Sequence, residues 1–207
     1  MNSRNNQTNI SILKSLNDRE LKELVNLIKI ENSVSILASL DSRTIKEYLL
    51  KIIDTSEIMI LVARKKKNII AYAIVTKKIN KLITIFSFLK YKILFNMIIN
   101  FKFIRLLNIF LSFTKLDIFF LSKKQKKIIN SNYNLNLIAV KKNFQSKGLG
   151  SVILKKIFKL SKKSKFITVE SIDDRAYEFY IKKHKFTYLN QKLRFPKNLK
   201  VLYRKTI

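Results

Sequence analysis

Apolar and polar residues alternate over Asn9–Lys14, which predicts a short first strand. The period then lengthens. Leu21, Leu24, Val25, Leu27 and Ile28 make one stripe of a helix over Arg19–Ile30, with Asn17 or Asp18 placed to cap it. A second helix starts at Asp41 or Ser42 and turns Ile45, Leu49, Ile52 and Ile53 inward. The apolar runs Ile58–Ala63 and Ile69–Thr76 read as strands, and the basic turn Arg64–Asn68 between them predicts an antiparallel hairpin. In the last third strand and helix signals alternate. Asn134–Val140 is a strand, and Gly148–Ser161 a helix burying Val152, Ile153, Ile157 and Leu160. Phe166–Glu170 is a strand, and Asp173–Lys183 a helix with Ala176, Phe179 and Tyr180 on one side. Phe186–Phe195 and Leu199–Thr206 form a last strand pair around Pro196.

Lys77–Asn132, between the third and fourth strands, has a different character. It is dense in Phe, Leu, Ile and Lys and holds one acid, Asp117. Helical patterning runs over 82–121. The longest charge-free stretches, Ile93–Phe101 and Leu106–Thr114, are nine residues each, well short of the roughly 20 apolar residues a membrane-spanning helix needs. The segment therefore reads as amphipathic helices. Three roles fit such a segment: a hydrophobic lid over a binding site, a peripheral membrane contact through 82–121, or a plainly packed helical hairpin. Ile and Leu dominate it, which suits lipid or core better than bases, so nucleic acid is not the expected partner.

The chain has 207 residues, of which 47% are hydrophobic, enough for a single domain, 1–207, carrying 77–132 as a helical basic and aromatic insertion. It has no cysteine, which removes disulfides, thiolate metal sites and a cysteine nucleophile together. The single histidine, His184, cannot build a multi-histidine metal site, and within KKHK it reads as a surface residue. No metal is implied. The polar start MNSRNNQTN does not read as a signal peptide, so a cytoplasmic location is the default. Lys and Arg number 43 against 13 Asp and Glu, a net charge of +30. An anionic partner would fit this charge, whether nucleic acid, acidic membrane or phosphorylated cofactor. So would a coding bias that inflates Lys, Asn and Ile throughout the chain.

Such a bias does not decide where glycines survive. The chain holds two, Gly148 and Gly150, in one loop between a predicted strand and a predicted helix. Glycine allows positive φ and lets a ligand approach the backbone with no Cβ in the way. A helix N-terminus presents backbone N–H groups without intrahelical partners, and these bind phosphate well. Lys147 adds a cation and Ser151 a hydroxyl, which together suit a pyrophosphate. A tight turn without a ligand is the plainer alternative. Neither a Walker loop nor Gly-x-Gly-x-x-Gly is present.

Ile138-Ala139-Val140 followed by Asn143-Phe144-Gln145-Ser146-Lys147-Gly148-Leu149-Gly150 resembles the acetyl-CoA motif of GNAT-type N-acetyltransferases, Arg/Gln-x-x-Gly-x-Gly/Ala after a hydrophobic strand. Asp173 to Tyr180 is similar to that family's Asn-x-x-Ala-x-x-Phe/Leu-Tyr helix. Two departures stand out. The family's asparagine is Asp173, and its Gly-Phe after the tyrosine appears one residue late, as Lys185-Phe186. The resemblance implies an α/β fold: a central, mostly antiparallel twisted sheet with a splayed parallel strand pair and flanking helices. It also implies acetyl-CoA as co-substrate. The amides of Gln145, Ser146, Lys147, Gly148, Leu149, Gly150 and Ser151 would bind its pyrophosphate, and Asp173 would make one further contact. The strand edge at Ile138, Ala139 and Val140 would pair with the pantetheine arm, with an N–H near Ile138 or Ala139 polarising the acetyl carbonyl. The side chains of that strand are expected in the core.

By the same resemblance Tyr180 is the candidate general acid toward the departing thiolate. A core tyrosine with its hydroxyl on a backbone group is the alternative. Glu170, at the end of a central strand, is the most interesting acid by position, against an exposed or salt-bridged role among so many cations. The acceptor would be the primary amine of a small molecule or peptide. Bacterial GNAT-like proteins of surface-polysaccharide synthesis look similar in carrying a helical insertion at this place, which points to an amino sugar. The competing class is a non-catalytic basic membrane- or nucleic-acid-binding protein on an acetyltransferase-like fold.

Overall fold

The computed structural model describes residues 8–33, 35–77, 91, 95, 98, 102–130, 133–162 and 164–206. Seven strands form a mixed sheet, in sheet order β1 (Asn9–Ile12), β2 (Ile58–Lys65), β3 (Asn68–Thr76), β4 (Tyr133–Val140), β5 (Phe166–Ser171), β7 (Leu199–Lys205) and β6 (Thr187–Lys192). The chain divides into two compact units, 1–75 with 136–159 and 76–135 with 160–207.

In the first unit, β1 (Asn9–Ile12) runs antiparallel to β2 (Ile58–Lys65), with Asn9 opposite Arg64 and Ile12 opposite Leu61. β2 turns through Lys66 and Lys67 into β3 (Asn68–Thr76), and Lys66 takes the left-handed backbone (φ 57°) that a tight hairpin turn demands. Both strands are apolar at nearly every position and buried on both faces, from Ile60 to Ala63 and from Ile69 to Val75. Two helices belong to the same unit, the second of them against β2. Helix α1 (Asp18–Glu31) starts where the Asn17 side chain accepts a hydrogen bond from the Glu20 N–H at 2.9 Å, and it buries Leu21, Leu24, Val25, Leu27 and Ile28. Helix α2 (Ser42–Ile53) is capped by Asp41, which accepts from the Thr44 N–H at 2.9 Å. It buries Ile45, Tyr48, Leu49 and Ile52, while the predicted inward residue Ile53 is only half-buried because it lies a quarter-turn off that stripe.

In the second unit, β4 (Tyr133–Val140) contributes its first residues. Parallel pairing with β5 (Phe166–Ser171) is confined to Tyr133–Leu135 against Ile167–Val169. β5 pairs antiparallel with β7 (Leu199–Lys205), and β7 with β6 (Thr187–Lys192), through a bulge between Tyr188 and Asn190. This is the predicted mixed sheet.

Of the predicted helical stretch 82–121, most of the part before residue 102 lies outside the described residues. Beyond it stand α3 (Phe103–Phe113) and α4 (Lys123–Asn130). Their inner side is well anchored. The Asn108 amide donates to the Phe195 carbonyl at 2.8 Å and accepts from the Phe195 N–H at 2.9 Å. Gln125 donates to the Leu189 carbonyl at 3.0 Å, and Leu121 and Ile129 pack with Val201. Among the described residues no helix is long and apolar enough to cross a membrane.

Candidate functional site

The glycine loop belongs to the first unit. At the end of β4 the Lys141 N–H donates to the Ile70 carbonyl at 2.9 Å, which fixes where the strand lets go of the sheet. A single 3-10 turn, Lys142–Phe144, follows, closed by Phe144 N–H to Lys141 carbonyl at 2.7 Å and Gln145 N–H to Lys142 carbonyl at 3.1 Å. The backbone then turns left-handed at Ser146 (φ 60°) and again at Gly148 (φ 79°) before helix α5 (Leu149–Leu160) begins. Ser146, Lys147 and Gly148 are exposed, while Gln145, Leu149, Gly150 and Ser151 are half-buried. A Cβ built on Gly148 would meet no atom within 4 Å. The space before this residue is open, and only glycine takes φ 79° without strain. Among the described residues none accepts a hydrogen bond from the N–H of Lys147, Gly148, Leu149 or Gly150. These donors head an α-helix, where the helix dipole adds positive potential.

Glu31, at the last residue of α1, is what holds the loop in this shape. One carboxylate oxygen accepts from the Lys142 N–H at 2.8 Å and the other from the Gln145 side-chain amide at 3.0 Å. The same amide donates to the Val140 carbonyl at 2.8 Å. Gln145 is therefore a strut within the protein, and its side chain is occupied in holding the loop. Two ammonium groups stand over the Phe144 ring, Lys65 at 5.7 Å and Lys147 at 5.8 Å from its centroid, which keeps both beside the loop. Glu31, Phe144 and Lys65 were not foreseen, since their spacing in sequence carries no motif. The loop fits a phosphate group: open backbone at Gly148, N–H donors without protein acceptors, and two flanking cations.

The strand preceding the loop needs one correction. Of Ile138, Ala139 and Val140 only Ala139 is buried, at 7% exposure, whereas Ile138 and Val140 are half-buried and not core residues as predicted. In α5 the predicted inward residue Val152 is 52% exposed and Leu160 half-buried, while Leu154 is fully buried alongside Ile153 and Ile157. The stripe is set by the neighbours of Ile153 and Ile157 at helical spacing, and Leu154 is the one that falls on it.

The remaining predicted residues lie in the second unit. Asp173 is exposed and caps helix α6 (Asp174–Glu178), its carboxylate accepting from the Arg175 N–H at 2.7 Å. Beyond α6 the chain makes a π-helical turn, Phe179–Lys183. A π turn takes up one extra residue, which is where the one-residue delay of Lys185-Phe186 is absorbed. Lys185 occupies the left-handed region (φ 53°) that a glycine would enter freely. Of the predicted stripe Ala176, Phe179 and Tyr180, only Tyr180 is buried. Its ring packs edge-on between Phe179 and Phe186, each 5.3 Å away between centroids. Burial pushes its phenol well above the usual tyrosine range. Among the described residues nothing hydrogen-bonds its hydroxyl. His184 is corrected: it is 6% exposed, its ring 4.6 Å from that of Phe179. Neighbouring lysines suggested a surface position, but the helix end turns the histidine inward and leaves Lys182, Lys183 and Lys185 outside.

Glu170 is the salt-bridged residue that its position allowed. It pairs with Lys192 from β6, which is itself buried. Burial works to raise the Glu170 pKa, but the charge and hydrogen bond of Lys192, with Arg194 nearby, outweigh it and hold the carboxyl below the usual range. Asp117, in the turn between α3 and α4, goes the other way. Burial and the Glu170 charge raise it against the pull of Lys192 and a hydrogen bond from Ser112. Replacing Lys192 by methionine is expected to destabilise the protein by about 3 kcal/mol, the low end for a broken buried ion pair, because the Glu170 side chain keeps 28% of its exposure. Thermal melts from pH 3 to 8 check this, since the wild-type contribution is present above the ordinary value of 4.5 and lost as pH falls through the lowered folded value. The loss in Lys192→Met is therefore largest near neutrality and fades toward the acid end, and the double variant with Glu170→Gln recovers much of it.

No family model and no curated protein sequence matches the chain. Solved structures do. An acetyltransferase from Thermus thermophilus aligns over 95% of this chain and 96% of its own, with a TM-score of 0.57 and 9% identity. The ribosomal-protein-S18-alanine N-acetyltransferase of Escherichia coli aligns over 97% and 94%, with a TM-score of 0.57 and 10% identity. The PaiA N-acetyltransferase of Thermoplasma acidophilum, solved in complex with coenzyme A, aligns over 95% and 99%, with a TM-score of 0.55 and 15% identity. At such identities the likeness is one of fold, and the fold is that of the GNAT-type acetyltransferases.

Proposed function

We propose that this chain, which has the GNAT-type acetyltransferase fold, transfers an acetyl group from acetyl-CoA to a primary amine. One observation carries the reading: the left-handed Gly148 opens a line of amide N–H groups at the head of α5 to a space that no side chain fills. In this reading the amides of Lys147 to Gly150, with Ser146 and Ser151 in the same turn, hold the pyrophosphate, and Lys147 and Lys65 neutralise it; the Gln145 N–H, expected to join them, is already given to the Lys142 carbonyl. Glu31 and the Gln145 side chain keep the loop rigid, so little ordering cost falls on binding. The edge of β4 at Ile138, Ala139 and Val140 takes the pantetheine arm, and an N–H there polarises the acetyl carbonyl. Asp173 keeps its capping role and gives the ligand at most a second contact. Acetyl-CoA supplies the activated acetyl thioester.

Tyr180 donates toward the departing sulfur through a hydroxyl that burial keeps protonated. Glu170, ionised and pinned by Lys192, is a weak proton acceptor. It draws an ammonium form of the acceptor more readily than it deprotonates it. The acceptor is a small-molecule or peptide amine, with amino sugars the narrower class. A screen for coenzyme A release across amines identifies it.

Binding is tested first by thermal melting. At about 100 times its Kd a ligand adds about 2.7 kcal/mol, which in a domain of this size raises the melting temperature by about 5–10 °C. Acetyl-CoA and coenzyme A are expected to do this, with adenosine much weaker. No shift at millimolar acetyl-CoA with folded protein sinks the reading.

A further inference from the structure

The described part of the 77–132 segment has two unlike sides. Its inner side is explained by Asn108, Leu111, Gln125 and Ile129, which anchor it within its own unit. Its outer side is apolar and exposed. Along α3, Phe103, Ile104, Leu107 and Phe110 are 62%, 54%, 41% and 57% exposed, and in the following turn Phe119 and Phe120 are 68% and 72% exposed. The four α3 positions stand at i, i+1, i+4 and i+7, one face of a helix. Scattered exposed apolar residues need no explanation, but a helix face made of them does.

The charge around this face selects its occupant. Residues 102–130 contain seven Lys or Arg and one acid, Asp117. That acid is turned inward, toward Ser112, Lys192 and Glu170. Lys115, Lys123, Lys124 and Lys127 are exposed. A second copy would bring up another body of charge +30, and like charges facing one another oppose such a contact. A nucleic acid would meet the cations but leave the Ile and Leu positions without use. An anionic bilayer satisfies both features. Its headgroups take the lysines while the acyl boundary takes Phe and Leu. At 11 residues, α3 is about 16 Å long, which suits a helix lying in the interface.

We propose that α3 and the Phe119–Phe120 turn form a peripheral contact with anionic lipid, α3 lying parallel to the surface with Phe103, Leu107 and Phe110 in the acyl boundary. This contact stands independently of the acetyl-transfer reading. The whole chain is floated with phosphatidylcholine vesicles, with and without phosphatidylglycerol, at low and high salt. Binding is expected only with the anionic lipid, and it weakens as salt rises. Leu107→Asp with Phe110→Asp should cut partitioning by at least about tenfold. Both positions are exposed, so the melting temperature and the acetyl-CoA shift should stay unchanged. Lys123→Glu with Lys124→Glu should cost about fivefold or more. The chain has no tryptophan, so Phe110→Trp installs a lone indole, whose emission should shift to the blue and be quenched by brominated lipid.

Absence of vesicle binding by the wild type overturns the proposal, and so does equal binding by the double aspartate variant. Concentration-dependent self-association without lipid, removed by the same aspartates, would assign the face to a second copy instead. Oligonucleotide binding lost in the same variant would assign it to nucleic acid.

Discussion

Gly148→Ala is expected to weaken acetyl-CoA binding by at least about 100-fold while costing the fold only about 1–2 kcal/mol. The two numbers come from different features of the residue. An added Cβ meets no protein atom within 4 Å, so overpacking contributes nothing to the stability cost. What remains is the strain of φ 79° for a residue with a side chain. The binding loss arises because the methyl fills the space before the α5 amides. Losing two charge-assisted hydrogen bonds to phosphate corresponds to a factor of about 100 or more. Gly148→Asn separates the contributions further, since asparagine tolerates the left-handed region. It should be the more stable variant and still bind poorly, and Gly148→Glu should bind least, through bulk and charge. Titration calorimetry with acetyl-CoA, beside urea unfolding of each variant, makes the comparison. If Gly148→Ala loses stability and keeps its affinity, the glycine serves the turn alone and the phosphate reading fails.

Local signals carried the sequence reading well where a single element decides the outcome. Asn17 and Asp41, each one of two candidates the sequence offered, cap their helices, because an N-cap needs only a short polar side chain before an amphipathic run. The hairpin of β2 and β3 was legible from two apolar runs around a basic turn. The glycine loop was legible because both glycines of the chain lie in it. What stayed hidden depends on residues far apart in the chain. Glu31 braces the loop from over a hundred positions away, and nothing around it in the sequence marks that role. Glu170 and Lys192 meet across the β5, β7 and β6 ladders, a register visible only once the strands are paired. His184 was misread because neighbouring lysines dominate its local composition, whereas its burial is set by the π-helical turn. That turn did leave one trace in the sequence, the late arrival of Lys185-Phe186.

Tyr180→Phe is expected to lower kcat by about 100- to 1,000-fold, with stability changed by no more than about 1 kcal/mol. The substitution keeps the ring, and so keeps both edge contacts at 5.3 Å to Phe179 and Phe186. It removes a hydroxyl to which nothing among the described residues is hydrogen-bonded, so no buried partner is orphaned. A structural tyrosine of the usual kind would behave otherwise. Its hydroxyl would hold a backbone group, and phenylalanine would cost stability and leave the rate alone. The raised pKa sharpens the test. A thiolate has a conjugate-acid pKa of about 8.5, so full transfer from this phenol is uphill. The hydroxyl then acts by partial donation as negative charge grows on sulfur. Fluorinated tyrosines at 180, with progressively lower phenol pKa, should raise the rate of thiol release. The KM for acetyl-CoA should move by less than about threefold, because the contact matters in the transition state more than in the ground state. Coenzyme A release, measured with an acceptor found by the amine screen, gives both constants. Unchanged kcat in Tyr180→Phe would return this tyrosine to a packing role and leave sulfur departure to another group.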